Sequence, residues 1–476
     1  MTDAANTDIL AELEQIVGPA NVAQGAAAAA WTRDWTGAYS WTPLAVARPA
    51  ATPEVARIVR LANQTGTPLV PVGGNTGLSG GSAGEGAIMV SLDRMTAVRE
   101  IRPEARIAVV EAGVILSRLH DAAEEADLIF PLTFGARGSA MIGGCLSTNA
   151  GGSNVLRYGN ARDLCLGLEA VLPTGEVLDL MSALHKDNSG YDLRDLLIGA
   201  EGTLGIITAA VLKLHPRPRA HATAMVAAPS LDAALGLLNR LQAETGGAVE
   251  AFEYMPGAYL DAYARKFPDS RPPFADRHEV NILVEVGALS ARDAHPAPDG
   301  SLPVVNHLET VLADLLETGA VLDAVVARTE AQRSEMWARR EAAAEVALTR
   351  KPMVNNDISV PLDKVQTFLE TMARRLREIE PGARDMTVAH LGDGNIHYTV
   401  WPATDAPAVH DAIMEAVEDV ALHLGGSFSA EHGIGISKKP SMARRKDAVA
   451  LQTMRAVKQA IDPAGIMNPA KVLPGV

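Results

Sequence analysis

Cysteine is nearly absent: Cys145 and Cys165 are the two in 476 residues. They are too few for a disulfide framework and stand in no CxxC or zinc-like spacing, so two small buried fillers in a reducing compartment are expected. Long apolar runs are missing as well. No stretch of about 18 uncharged apolar residues occurs, and the N-terminal MTDAANTDILAELEQIVG is acidic and amphipathic, unlike a secretory signal. The expectation is a cytoplasmic protein without a transmembrane segment. Positive charge is in deficit, since 42 Lys and Arg against 57 Asp and Glu leave a net −15. Such a surface repels phosphate backbones and anionic membranes, which argues against nucleic acid or lipid as the partner. Disorder is excluded by a composition of 47% apolar and 21% charged residues.

What is present begins with size: at about 100 to 200 residues per domain, the chain predicts two or three domains. Leu44 to Arg48 reads as a strand. Thr52-Pro53-Glu54 then supplies an N-cap, a first-turn proline and an acid, and Val55, Ile58, Val59 and Ala62 recur at helical spacing. After Gly66, Leu69 to Val72 reads as a buried strand. The loop that follows, GGNTGLSGGS from Gly73 to Ser82, leads into another strand (Ala87 to Leu92) and not into a helix, so the Rossmann fingerprint fails on context. Its glycines can turn successive backbone N–H groups inward as a phosphate nest, with Asn75, Thr76, Ser79 and Ser82 adding side-chain donors. Two further glycine clusters, at 138–152 and 199–205, make a single large nucleotide-type ligand the stronger reading over three mobile turns. The Pro/Arg-rich HPRPRAH at 215–221 is the best domain boundary. Beyond it, helices are expected near 231–243, 307–318, 329–348, 363–379 and 407–424, with a loop at 288–303.

The second half carries a hairpin signal, two β-like runs around GDGN: Thr387-Val388-Ala389-His390-Leu391-Gly392-Asp393-Gly394-Asn395-Ile396-His397-Tyr398-Thr399-Val400. If Leu391 pairs with Ile396, His390 faces His397, close enough for two imidazoles to hold one metal ion. Read alone, the pair is more often two hydrogen-bonded histidines near a surface than a metal site. Glu431, in SAEHGIG, could complete a two-His, one-carboxylate set with open positions, leaving His432 beside it as a free base; the alternative is a glycine-flanked turn. Arg340 could grip a carboxylate bidentately or be a solvated helix charge. The basic residues Lys438, Lys439, Arg444, Arg445 and Lys446 read as a wet face.

PVGGNTGLSGGS, GSAMIGGCLSTNAGGSNVLRYG, IGAEGTLGIIT, HLGDGNIH, SAEHGIG and DPAGIMNPAK, in this order, resemble the FAD-linked D-2-hydroxyacid dehydrogenases of the vanillyl-alcohol oxidase type FAD-binding superfamily, which include D-lactate and D-2-hydroxyglutarate dehydrogenases and the flavin subunit of glycolate oxidase. The resemblance runs from about Trp31 to Lys471. It implies an α+β fold with an FAD-binding domain over residues 1–217 (pyrophosphate loop 71–82) and an antiparallel-sheet-plus-helices cap domain over 218–424. A segment 425–476 would carry Glu431 and His432 and return to the FAD domain. By resemblance, FAD contacts fall on Pro71, Gly73, Gly74, Asn75, Thr76, Gly77, Gly138, Ser139, Gly143, Gly144, Thr148, Asn149, Gly151, Ile207 and Asn468. Metal ligands fall on His390, His397 and Glu431, the base on His432, and substrate contacts on Arg340, Asn355 and Thr399.

The implied reaction oxidises a D-2-hydroxyacid to the 2-oxoacid by hydride transfer to non-covalent FAD, assisted by one divalent metal, zinc with manganese or iron as alternatives. An electron-transfer flavoprotein, quinone or cytochrome would re-oxidise the flavin, and a homodimer is the candidate assembly. Three positions depart from the D-2-hydroxyglutarate pattern: Ala344 for Thr, Asn355 for Lys and Thr399 for Asn. They remove a charge and a hydroxyl, so a short-chain substrate such as D-lactate is expected, with D-2-hydroxyglutarate as the alternative. A metal-dependent hydrolase is the rival from another class.

Overall fold

The computed structural model describes residues 3–475, and the chain divides into two compact units. The first comprises Met1–Gly151, Asn160–Pro216 and Glu431–Val476. Its helix Thr52–Thr65 turns Val55, Ile58, Val59 and Ala62 fully inward and ends where Gly66, at φ 66, returns its N–H to the Ala62 carbonyl. Thr52 is not the expected cap. Ala51 takes the extended cap conformation, and the Thr52 hydroxyl donates instead to Glu169 Oε1 at 2.6 Å. Ile88–Ser91 lies between Ala45–Ala47 and Leu69–Val72 and runs parallel to both. Residues 73–87 therefore join two neighbouring parallel strands without a helix.

A second sheet in this unit is antiparallel, in the order Val98–Arg102, Ile107–Glu111, Ile206–Lys213, Cys165–Val171, Val177–Leu180. The C-terminal tail closes the unit. Leu69 donates to Ile466 O and accepts from Asn468 N–H, so the tail lies along Leu69–Val72. Lys458, buried on helix Ala448–Ile461, ties Asp462, Thr203 O and Met467 O together.

The second unit comprises Gly152–Gly159 and Arg217–Ala430. Its antiparallel sheet runs Asp323–Val326, Ala220–Ala228, Val280–Ala288, Val249–Pro256, Val388–His390, Asn395–Trp401, Val354–Ser359. Alternation decides the two faces. Ala222, Ala224, Val226, Ile282 and Val284 pack under helices Leu231–Thr245, Pro303–Glu317, Val365–Ile379 and Pro407–His423. Met225, Met255 and Leu283 point the other way, against Tyr259, Met336 and Val346. The helix expected over 329–348 is two, Glu330–Glu341 and Ala343–Ala347, because the Ala342 N–H is shared between Ala338 O and Arg340 O and tightens the turn. The expected loop at 288–303 holds one turn of helix, Ala291–Ala294.

The short segment Gly152–Gly159 belongs with this unit because Arg157 pairs with Glu250 at 2.9 Å and Leu156 packs against the core. Among the described residues, no helix is long and apolar enough to cross a membrane.

Candidate active site

In the first unit the loop after Leu69–Val72 is packed from below. A Cβ on Gly74 would stand 1.9 Å from Ser139 O, so only glycine lets the loop rest on the 138–144 turn. Asn75 takes φ 52, a left-handed conformation that asparagine tolerates. Among the described residues, no protein acceptor takes the amide N–H of Gly73, Gly74, Asn75, Thr76 or Gly77. Successive free amides in a glycine loop fit a pyrophosphate. Three of the four side-chain donors expected of this loop are spent on bracing it. Asn75 Nδ2 donates to Arg33 O at 2.8 Å, the Ser82 hydroxyl donates to Asn75 Oδ1, and the Ser79 hydroxyl points to Gly433 O. The nest is thus a backbone device.

The other expected FAD contacts lie in the same unit. Gly138 and Ser139 precede helix Ile142–Ser147, which carries Gly143 and Gly144, and Thr148, Asn149 and Gly151 follow it. Gly143 sits where a Cβ would meet Ala112 at 2.8 Å. Asn149, at φ 50, accepts the N–H of Arg162, and Ile207 is buried in Ile206–Lys213. Gly202 would drive a Cβ into Pro71 at 2.4 Å. Asn468 is 2% exposed and donates to Gly81 O and Glu201 O, while its Oδ1 is buried without a protein partner. Glu431 and His432 lie in this unit, and a Cβ on Gly151 would stand 2.5 Å from Glu431 Oε1.

In the second unit, His390 and His397 share one sheet face, but not as opposed residues. The register pairs Val388 with His397 and His390 with Asn395, so Leu391 to Gly394 form the turn, with His390 O accepting from Asp393 and Gly394. The register expected from the sequence was displaced by two, which preserves the face. The imidazoles meet diagonally, edge to face, with ring centroids 5.1 Å apart.

Each is backed by a buried carboxylate. His390 Nδ1 stands 2.8 Å from Glu253 Oε1, and His397 Nδ1 stands 3.6 Å from Asp357 Oδ1, which also accepts from Asn395 Nδ2 at 2.9 Å. Glu253 is 1% exposed and also accepts from Arg340 Nε at 2.6 Å. Burial alone would raise its pKa, but His390 and Arg340 bring it down to about 2. Arg340 is therefore a buried, oriented guanidinium and not a solvated charge. Arg339 is committed elsewhere, to Glu335 Oε1 and Arg271 O. Asn355 and Thr399 are opposed across Val354–Ser359 and Asn395–Trp401, and the Thr399 hydroxyl donates to Asn355 Oδ1 at 2.9 Å. Residues 427–430 run beside the same strand, through Ser427 with Ser359 and Ala430 N–H to Asp357 O, and the next residue is Glu431.

Two family models cover these parts: one described as FAD linked oxidases, C-terminal domain, matches residues 217–472, and one described as FAD binding domain matches 43–181. The chain is 36% identical over 446 residues to a D-2-hydroxyglutarate dehydrogenase of Xanthomonas citri pv. viticola, covering 92% of this chain and 91% of that protein. It is 34% identical to one of Stutzerimonas stutzeri, covering 99% of both. The mitochondrial D-2-hydroxyglutarate dehydrogenase of Bos taurus is 36% identical, over 93% of this chain and 79% of its own length. The chain belongs to the FAD-linked D-2-hydroxyacid dehydrogenases.

The fold of this oxidoreductase is of the vanillyl-alcohol oxidase type. A substrate-bound p-cresol methylhydroxylase superposes with TM-score 0.76 at 15% identity, covering 99% of this chain and 97% of that one. A 4-ethylphenol oxidase from Gulosibacter chungangensis gives 0.73 at 19%, covering 100% and 98%. Membership in a family of oxidoreductases also removes the hydrolase alternative. Sequence reasoning missed Glu253, Asp357 and Glu201. The signal available for Glu253 was a pair of acids, Glu250 and Glu253, in the apolar strand Val249–Pro256, where an acid is rarely buried without a partner.

Proposed function

We propose that this dehydrogenase oxidises D-2-hydroxyglutarate, with a divalent metal ion held by His390, His397 and Glu431. The reading of the substrate is carried by 34–36% identity to three D-2-hydroxyglutarate dehydrogenases across more than nine-tenths of this chain. The D-lactate preference expected from the sequence has the weaker support. It keeps one specific observation in its favour: Asn355 and Thr399 form an uncharged pair, and Arg339 is already committed to Glu335 and Arg271. On the proposed reading, the amide N–H groups of Asn355 remain to donate to the distal carboxylate.

Support for the metal comes from the two imidazoles meeting on one sheet face and from the carboxylate behind one of them, Glu253 Oε1 at 2.8 Å from His390 Nδ1. A carboxylate on one ring nitrogen fixes the tautomer and turns the other nitrogen outward as a ligand, the arrangement of metal-binding histidines. A divalent ion held there would supply Lewis acidity to the substrate hydroxyl, and bound FAD would supply the hydride acceptor. His432 takes the hydroxyl proton as the C2–H bond breaks. Arg340, held by Glu253 through Nε and with Nη2 3.4 Å from His390 Nε2, would offer Nη1 to the substrate carboxylate.

Comparing kcat/KM for D-2-hydroxyglutarate, D-lactate and D-2-hydroxybutyrate tests the substrate. A preference of about tenfold or more for D-2-hydroxyglutarate is expected, equivalent to about 1.4 kcal/mol in the transition state. The same margin for D-lactate overturns the reading and assigns the Asn355–Thr399 pair to a short-chain pocket.

A further inference from the structure

Glu201 lies outside every expected site residue, yet three parts of the first unit converge on it. Its backbone takes φ 52, a left-handed conformation that is rare for glutamate and persists only where surroundings over-determine it. Its N–H donates to Ser147 O at 2.8 Å, at the end of the helix carrying Gly143 and Gly144. Its carbonyl accepts from Asn468 Nδ2 at 2.7 Å. Its side chain, 9% exposed overall, accepts from two successive amides, Ile434 N–H on Oε1 at 2.7 Å and Gly435 N–H on Oε2 at 2.8 Å.

The far side of the same segment is held too. Ile436 and Ser437 both donate to Ser79 O, and a Cβ on Gly435 would stand 2.0 Å from that oxygen. Gly433, at φ 70, leaves room for Glu201 Oε1, which a Cβ would approach to 2.8 Å. Residues 433–437 are thus clamped between a buried carboxylate and a carbonyl, and His432 is the residue just before the clamp.

We infer that Glu201 is a positioning residue for His432, fixing the backbone that carries the base against the flavin-binding loops. The inference rests on the reading of His432 as the base. A carboxylate suits the task because each of its oxygens accepts from one amide. Glutamine offers one acceptor and turns an NH2 group toward the other N–H, donor against donor. Glu201→Gln loses half of the clamp without changing shape.

The test is a double-mutant cycle on the FAD-loaded enzyme. Glu201→Gln should keep its full flavin absorbance and leave KM within about twofold, while kcat falls on the order of 10- to 100-fold, the scale of an ångström's misplacement. A larger primary deuterium isotope effect at C2 should accompany it. In a His432→Ala background the same change should alter the rate less than about twofold, since a residue acting only through the histidine has nothing left to position. Multiplicative losses in the double variant overturn the inference, as does Glu201→Gln purified without flavin or with unaltered kcat. If Glu201→Gln does not fold, Glu201→Asp carries the same cycle, its shorter carboxylate giving a smaller loss of kcat. A wild-type rate for His432→Ala alone refutes the base assignment and not the cycle, so the two failures are distinguishable.

Discussion

At the scale of the residue, Glu253 shows how one buried carboxylate holds two side chains of the candidate site. It holds Arg340 through Nε and His390 through Nδ1, and at 1% exposure water does not replace either bond. Glu253→Gln is expected to leave the fold and the flavin in place and to weaken metal binding about 10- to 100-fold, as for other carboxylates behind metal-binding histidines. Metal content after dialysis against a graded chelator series measures this directly. Retention equal to that of the parent protein would reassign Glu253 to a purely structural ion pair. Sequence gave no hint of the contact because Glu253 and His390 are 137 residues apart, and no periodicity joins positions so distant.

At the scale of the element, the glycine loop and the hairpin differ in how legible they were. Clustered glycines between buried strands identify a backbone nest, since few other arrangements need so many residues without a Cβ. Gly74→Ala should push the loop off the 138–144 turn, because its Cβ would lie 1.9 Å from Ser139 O. The variant is expected to fold but to purify with less flavin, which the ratio of absorbance at 450 and 280 nm reports. Stoichiometric flavin would mean that the turn can yield. The hairpin was visible in GDGN between alternating apolar residues, but its register was not. Within the ladder Glu253 stands opposite His390 and Asp357 opposite His397 on the flanking strands, and partners so distant along the chain leave no local mark in the hairpin's sequence.

At the scale of the whole molecule, flavin and metal are expected to separate. Cys145 and Cys165 are both buried, and burial pushes each thiol up to about 12, so neither is a nucleophile available for a flavin bond. Acid denaturation should release all flavin into the supernatant, whereas chelation of the native enzyme should abolish bleaching by substrate and leave the yellow colour. Flavin on the precipitated chain, or colour lost together with metal, would contradict these expectations.

The sequence by itself determined the two-part α+β plan, the glycine-rich loop between buried strands, the family, and the helices and strands with strong periodicity. These are local properties, written in spacing, turn chemistry and glycine clusters. Only the tertiary structure decided that Gly152–Gly159 packs with the second unit, that Asn75 and Ser82 brace their loop, and that Glu201 holds the segment after His432 from 233 residues away. A buried polar group must find a partner wherever the fold brings one, and that choice is made in three dimensions.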